Sequence, residues 1–242
     1  KRHAATDFVL ALLLAFVAGG INAGGVIAIG RYTSHMTGYV SELAENIAVV
    51  DFALVLSGLG AIAAFVAGAA VSAILINWAR RHTRWGQYAM PLALEALLLL
   101  AFGAVGMVLG DVDTFVAVAT FLLCFLMGLQ NATITKISGA RMRTTHVTGL
   151  VTDIGIELGK ALYRNRDPHL PATHRVRADR KKLFMLSSIV VSFLIGGIVG
   201  ALGFAWIGYA FTLPLALVLI FCALPSFLAH RRILRKRRAK LS

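Results

Sequence analysis

Two stretches of the chain gather hydroxyl, imidazole and carboxylate groups in the same order: "TSHMTGYVSE" at 33–42 and "TTHVTGLVTD" at 144–153. A histidine changes charge near physiological pH, so His35 and His146 are candidates for binding a solute or passing a proton. Glu42 and Asp153 are candidate proton sites, although acids in the first turns of a helix also stabilise its N-terminus by about 0.3 to 1 kcal/mol. Thr37 and Thr148 are expected to cap the short helices that follow, and Gly38 and Gly149 to relax the backbone at their starts. A helix that begins there presents unpaired N–H groups to an anion or to the acceptor end of a polar solute. The expected binding set is Asn22, Thr33, His35, Thr37, Gly38, Asn131, Thr144, His146, Thr148 and Gly149. Glu42, Glu95 and Asp153 are the expected proton-coupling acids.

These groups must be positioned by a chain of unusual composition. It has 242 residues, 58% hydrophobic and only 14% charged, against about 25% charged in ordinary soluble domains. The mean hydropathy is +0.79. An integral membrane protein is expected, and the net charge of +13 is read as membrane topology rather than nucleic-acid binding, because the basic residues cluster between apolar runs.

Six segments are apolar and long enough to cross a bilayer, which needs about 20 residues: 8–30, 53–78, 88–109, 114–136, 183–204 and 207–229. The first is too long for the apolar core of a signal peptide, about 7 to 15 residues, and is expected to be retained. With both termini cytoplasmic, 23 of the 24 Lys and Arg residues fall on the inner side, and Arg31 alone falls outside. The segments from Thr37 and Thr148, about 14 residues of helix-compatible sequence each, suit re-entrant or interfacial helices.

The chain also resembles itself. "FVAGGINA" from Phe16 pairs with "FLMGLQNA" from Phe125 at an offset of 109, and the polar motifs pair at 111. "FVAGAAV" from Phe65 resembles "FLIGGIV" from Phe193, and "MPLAL" from Met90 resembles "LPLAL" from Leu213. Three spans per repeat set the halves in opposite senses, so the polar motifs enter from opposite faces and meet near the midplane, as in many secondary transporters. The expected architecture is all-α: six transmembrane helices in a 3+3 inverted repeat, each half with a short re-entrant or broken helix after its first span. The halves are 1–110 and 111–242, the second carrying a basic loop at 164–182 and a basic C-terminal tail. The glycine-rich stretch at 18–30 suggests an irregular first span, with Asn22 and Asn131 available to bond backbone or ligand.

Glu95 stands alone in "LALEALLLL", where an ionisable group is costly, about 2.5 to 3.5 kcal/mol on the gentler scale, and so marks function by default. Its repeat counterpart is Val218. Gly20/Gly24, Gly106/Gly110 and Gly196/Gly200 have the spacing that lets helices approach closely. Cys124 and Cys222 lie in apolar runs and read as small buried hydrophobes. HExxH, GxSxG and a Cys nucleophile with a nearby His are all missing from the sequence; the chain is expected not to be an enzyme and to need no cofactor.

The motifs "FVAGGINA", "TSHMTG", "GLQNA" and "TTHVTGLVTD", in a six-span chain of this length, resemble the YoaK family of bacterial membrane proteins, a domain of unknown function. The resemblance implies an inner-membrane location and a transporter-like character. The resulting expectation is a secondary transporter of a small polar or anionic solute, with a channel through the same polar breaks as the alternative and a membrane-embedded enzyme as the weaker one. Expected partners are a small-molecule or ion substrate and anionic lipid headgroups at the basic loops. Nucleic acid is not among them, and a homodimer is left open.

Overall fold

The computed structural model describes residues 4–82, 88–110, 112–137, 147–164 and 175–224. The described residues form helices and connecting turns without a strand. In order these are α1 (Ala4–Ile29), α2 (Met36–Ala48), α3 (Phe52–His82), α4 (Ala89–Leu109), α5 (Asp113–Ile137), α6 (Val147–Leu162) and α7 (Arg180–Ile207). A single 3₁₀ turn, Gly208–Phe211, leads into α8, helical over 212–224.

Among the described residues, five stretches are long and apolar enough to cross a membrane: Thr6–Ile29, Phe52–His82, Ala89–Leu109, Asp113–Ile137 and Arg180–Leu224. The chain is a multi-pass membrane protein. The outward faces of its long helices are apolar, with Leu56, Val66 and Ile74 of α3 all more than half exposed. Lipid, not water, is the solvent such a surface suits.

The last stretch is not one rod. Gly208 takes a positive φ of 58°, a conformation glycine adopts without steric cost, and the helix breaks there. Leu215 then packs on Gly20, which also meets the backbone of Gly196. Residues on either side of the break thus share one level, and α8 folds back along α7.

Helix packing is set by glycine. A Cβ on Gly19 would overlap the carbonyl oxygen of Phe193, and one on Gly196 would overlap that of Phe16, so α1 and α7 cross backbone to backbone. Gly128 meets the carbonyl of Phe65, and Gly68 that of Phe125, at the crossing of α5 and α3. Without side chains between them, facing carbonyls and Cα–H groups come into direct contact. The paired glycines expected to pack helices do so: Gly24 lies against Phe204, Gly106 and Gly110 against Tyr209, and Gly200 against Gly20. Across the α3–α5 crossing the hydroxyls of Ser72 and Thr133 hydrogen-bond at 2.8 Å, both buried. Cys124 and Cys222 are both buried.

Two expectations need correction. The glycine-rich first span is not irregular: α1 runs unbroken to Ile29, and the break follows at Gly30, whose φ is +72°. The glycines within the helix serve close packing against α7. Nor does Thr37 cap α2. The helix starts one residue earlier at Met36, with His35 in the capping position and no side-chain bond there. Thr148 likewise lies inside α6.

The short helices are joined to their long neighbours by built turns. At the end of α2 the Asp51 N–H donates to Asn46 O and the Val50 N–H to Ile47 O, a Schellman arrangement that places Val50 at φ 60°. Asp51 then caps α3, its Oδ1 accepting from Leu54 N at 3.1 Å. Asp179 caps α7 in the same manner, accepting from Lys181 N and Lys182 N. Its own N–H donates to the Glu157 carboxylate of α6 at 2.9 Å.

Candidate functional site

The chain leaves α1 at Gly30 and is caught again by Asn22, about two turns back in the same helix. Asn22 Oδ1 accepts from Thr33 N at 3.2 Å, Ser34 N at 3.1 Å and Ser34 Oγ at 2.8 Å. The carboxamide therefore satisfies backbone that a membrane interior would otherwise leave unpaired. Thr33 is fully buried as a result.

His35 follows at the mouth of α2. Its Nδ1 would lie 2.6 Å from a Cβ on Gly38, so the imidazole rests on the first turn of the helix in the space a side chain would occupy. Gly38 keeps ordinary helical backbone; it is required here for room, not for an unusual φ. The same turn leaves the Thr37 and Gly38 N–H groups without an intrahelical acceptor, as any helix start does.

Around this turn lie two adjoining cavities of about 360 Å³ and 350 Å³, which share Ser34, His35, Val147 and Thr148. The first is flanked by Asn22 and Phe193, the second by Asn131 and Phe65. The beginnings of α2 and α6 thus face a common space. A third cavity, about 370 Å³, shares Tyr32 and His35 and opens toward Arg31 and Glu42. A fourth, about 220 Å³, shares Phe65 and Asn131 and reaches Lys136. Consecutive members of this series share residues, and His35 lines three of the four.

The structure brings together Asn22, His35, Thr37, Asn131 and Thr148 from the expected binding set, with Gly38 in the neighbouring cavity beside His35. Thr33 sits behind the wall. Gly149 lies in the first turn of α6. Thr144 and His146 lie outside the described residues, as do the C-terminal tail and most of the 164–182 loop.

The three acids occupy different settings. Glu42 is half-exposed and stands 3.7 Å from Arg31. Asp153 is half-exposed and pairs with Lys182 at 3.4 Å. Glu95 is fully buried, and neither carboxyl oxygen has a hydrogen-bond partner among the described residues.

Several contributors escaped the sequence reading. Phe65 and Phe193 line the cavities but resemble ordinary core aromatics, and only their shared place in the repeat could have singled them out. Glu157 had no signal beyond its spacing to Lys160. Its side chain is 2% exposed, and the Asp179 N–H together with the Lys160 and Lys182 ammonium groups holds its carboxyl below the usual Glu range. Tyr39 accepts a hydrogen bond from the Cys124 thiol at 3.7 Å, tying α2 to α5.

The fold and the cavity series define a helical multi-pass membrane protein with polar residues lining cavities among its helices. A family model described as "Protein of unknown function (DUF1275)" matches residues 10–224, and the chain belongs to that family. No curated protein and no solved structure matches it.

Proposed function

We propose that this protein is a secondary transporter of a small polar or anionic solute, bound between the starts of α2 and α6. The observation that carries the reading is the cavity series from Arg31 and Glu42 to Lys136, centred where those two helix starts face each other. The Thr37 and Gly38 N–H groups at the start of α2, the His35 ring and the Thr37 and Thr148 hydroxyls supply donors for the solute. Phe193 in one cavity and Phe65 in the adjoining one supply apolar walls, the usual composition of a small-molecule site.

An inverted 3+3 repeat underlies the mechanism. The stretch Arg180–Leu224 has 45 residues, about 68 Å of helix at 1.5 Å per residue, against a hydrocarbon core of about 30 Å. Its break at Gly208 fits two crossings, six in all. The helix crossings support the repeat: Gly19 with Phe193 and Gly128 with Phe65 are related by offsets of 109 and 128, as are Phe16 with Gly196 and Phe125 with Gly68. Asp51 and Asp179, each capping the next long helix, share the offset of 128. The cavity walls pair in the same way, Asn22 with Asn131 and Phe65 with Phe193.

In this reading the basic loops and both termini face the cytoplasm of a bacterium, across its inner membrane, and anionic headgroups meet the basic loops. Movement of one half against the other about the α1–α7 and α3–α5 crossings opens the cavity series alternately to each side. The test is solute flux into proteoliposomes of the purified chain. Accumulation against a solute gradient, lost in His35→Ala and Thr148→Val, is expected. Strictly downhill flux with no saturation would replace the transporter by a pore.

A further inference from the structure

Glu95 lines none of these cavities. It lies six residues into α4, about 9 Å from the helix start at 1.5 Å per residue, among Leu92, Ala96 and Leu99, all fully buried. Those side chains belong to one core cluster with Leu14 of α1, Leu126 of α5 and Leu219 of α8. Glu95 has no exposed surface, neither oxygen has a partner, and no ion pair among the described residues includes it.

The elements around it offer little to balance a charge. Lys136 and Asp113 of α5 stand at opposite ends of that helix, and Arg80, Arg81 and His82 stand at the last turn of α3. Asp7, the only acid of α1, lies in its first turn. From α8 only the Cys222 thiol is titratable. Gln130 of α5 bonds to a member of the same cluster, its Nε2 donating to Leu14 O at 3.1 Å, while its Oε1 is buried without a partner among the described residues. Gln130 precedes Asn131, which lines the cavities.

An ionised carboxylate here would stand uncompensated in an apolar core, so this packing accommodates the neutral acid. A metal cation would need several oxygen ligands, and a carboxyl ringed by Leu and Ala does not provide them. A proton needs only the carboxyl. A purely structural neutral acid would be expected to spend its O–H in a hydrogen bond, and none is made.

We infer that Glu95 is the proton-binding site of this transporter: it is loaded in the enclosed state described above and unloaded when α4 shifts against α1 and α5 and admits water. The inference rests on the transporter reading, and it makes coupling one-sided, because the repeat counterpart Val218 cannot titrate.

Two measurements on the full chain in liposomes test it. Infrared spectroscopy, with bulk pH and D₂O as the probes, should find the C=O stretching band of a protonated carboxyl at neutral pH. The band should be missing in Glu95→Gln, shifted in Glu95→Asp, exchanged in D₂O and reversibly lost as pH rises. Absence of a Glu95-dependent band, or a band indifferent to D₂O and alkali, overturns the proposal. In the second measurement, vesicles with an entrapped pH-sensitive dye are challenged with inorganic phosphate, sulfate and zwitterionic amino acids. Solute-driven proton movement should occur in wild type, disappear in Glu95→Gln and return in Glu95→Asp; solute entry without proton movement, or proton movement that survives in Glu95→Gln, overturns it. Lack of entry for the whole panel counts against the transporter reading alone, and the infrared result then decides the proton site. Thermal unfolding of both variants, unchanged for a neutral acid replaced by its amide, establishes that they fold.

Discussion

The Ser34 hydroxyl donates to Asn22 Oδ1 at 2.8 Å, across 12 residues and a helix break. The bond folds the chain that leaves α1 back onto that helix, and so sets where α2 begins. The position of the whole polar motif depends on this one carboxamide.

Removing it should loosen the break. Asn22→Ala leaves the Thr33 and Ser34 N–H groups and the Ser34 hydroxyl without their acceptor, and each buried donor left unpaired costs about 1 to 3 kcal/mol. The variant is expected to unfold at lower temperature in detergent, with Asn22→Asp, which keeps the acceptor, intermediate. Equal melting of Asn22→Ala and wild type would show that the bonds do not hold the break.

Glycine at the helix crossings and glycine on open surface should respond oppositely to alanine. Gly19→Ala and Gly68→Ala each drive a methyl into a facing backbone carbonyl and should separate α1 from α7 or α3 from α5. Gly159 in α6 has nothing near its missing Cβ, so Gly159→Ala should stabilise by about 0.5 to 1 kcal/mol through lower backbone entropy. Thermal melts of the three variants give the comparison, and a stable Gly19→Ala would contradict the described crossing.

Val50 carries a β-branched side chain at φ 60° and is exposed. A non-glycine residue in the left-handed region costs about 1 to 2 kcal/mol. Val50→Gly should recover part of that and raise the melting temperature, with Val50→Asn following at a smaller gain. A lower melting temperature in both would mean that Val50 makes contacts worth more than its strain.

Glu157 makes stability depend on pH in a defined direction. Its carboxyl titrates below the usual Glu value in the folded protein because the Asp179 N–H and two lysines favour the charged form. The unfolded chain therefore binds the proton first. The stability is present above the ordinary Glu value, about 4.3, and is lost as pH falls through the lower folded value. Unfolding followed from neutral to acid pH should show this loss in wild type and a smaller one in Glu157→Gln, which also frees α6 to exchange its amide hydrogens faster. Parallel curves for the two proteins would remove Glu157 from the α6–α7 tether.

Much of the fold was legible because lipid imposes simple rules. Long apolar runs had to be helices, and α1, α3, α4 and α5 fall within a few residues of the expected spans. The short helices at 36–48 and 147–162 appear where polar, short segments were expected. Less legible was the reason for particular residues. Gly38 was expected to bend the backbone and instead makes room for a ring; Thr37 was expected to cap a helix whose start lies one residue earlier. Hydropathy and spacing do not distinguish a glycine needed for its φ from one needed for its absent side chain.

By itself the sequence determined that this chain lives in a membrane, where its helices lie and which residues are too polar to be there without a reason. These properties follow from one-dimensional patterns, because burying an unpaired backbone or an ionisable group in lipid is costly wherever it occurs along the chain. The tertiary structure alone decided which polar groups share a space. His35 and Thr148 line the same cavities because backbone-tight glycine crossings draw α1 to α7 and α3 to α5. Glu95 is left in an apolar core, and that follows from which faces of α1, α4, α5 and α8 pack inward, a three-dimensional property with no signature in its local sequence.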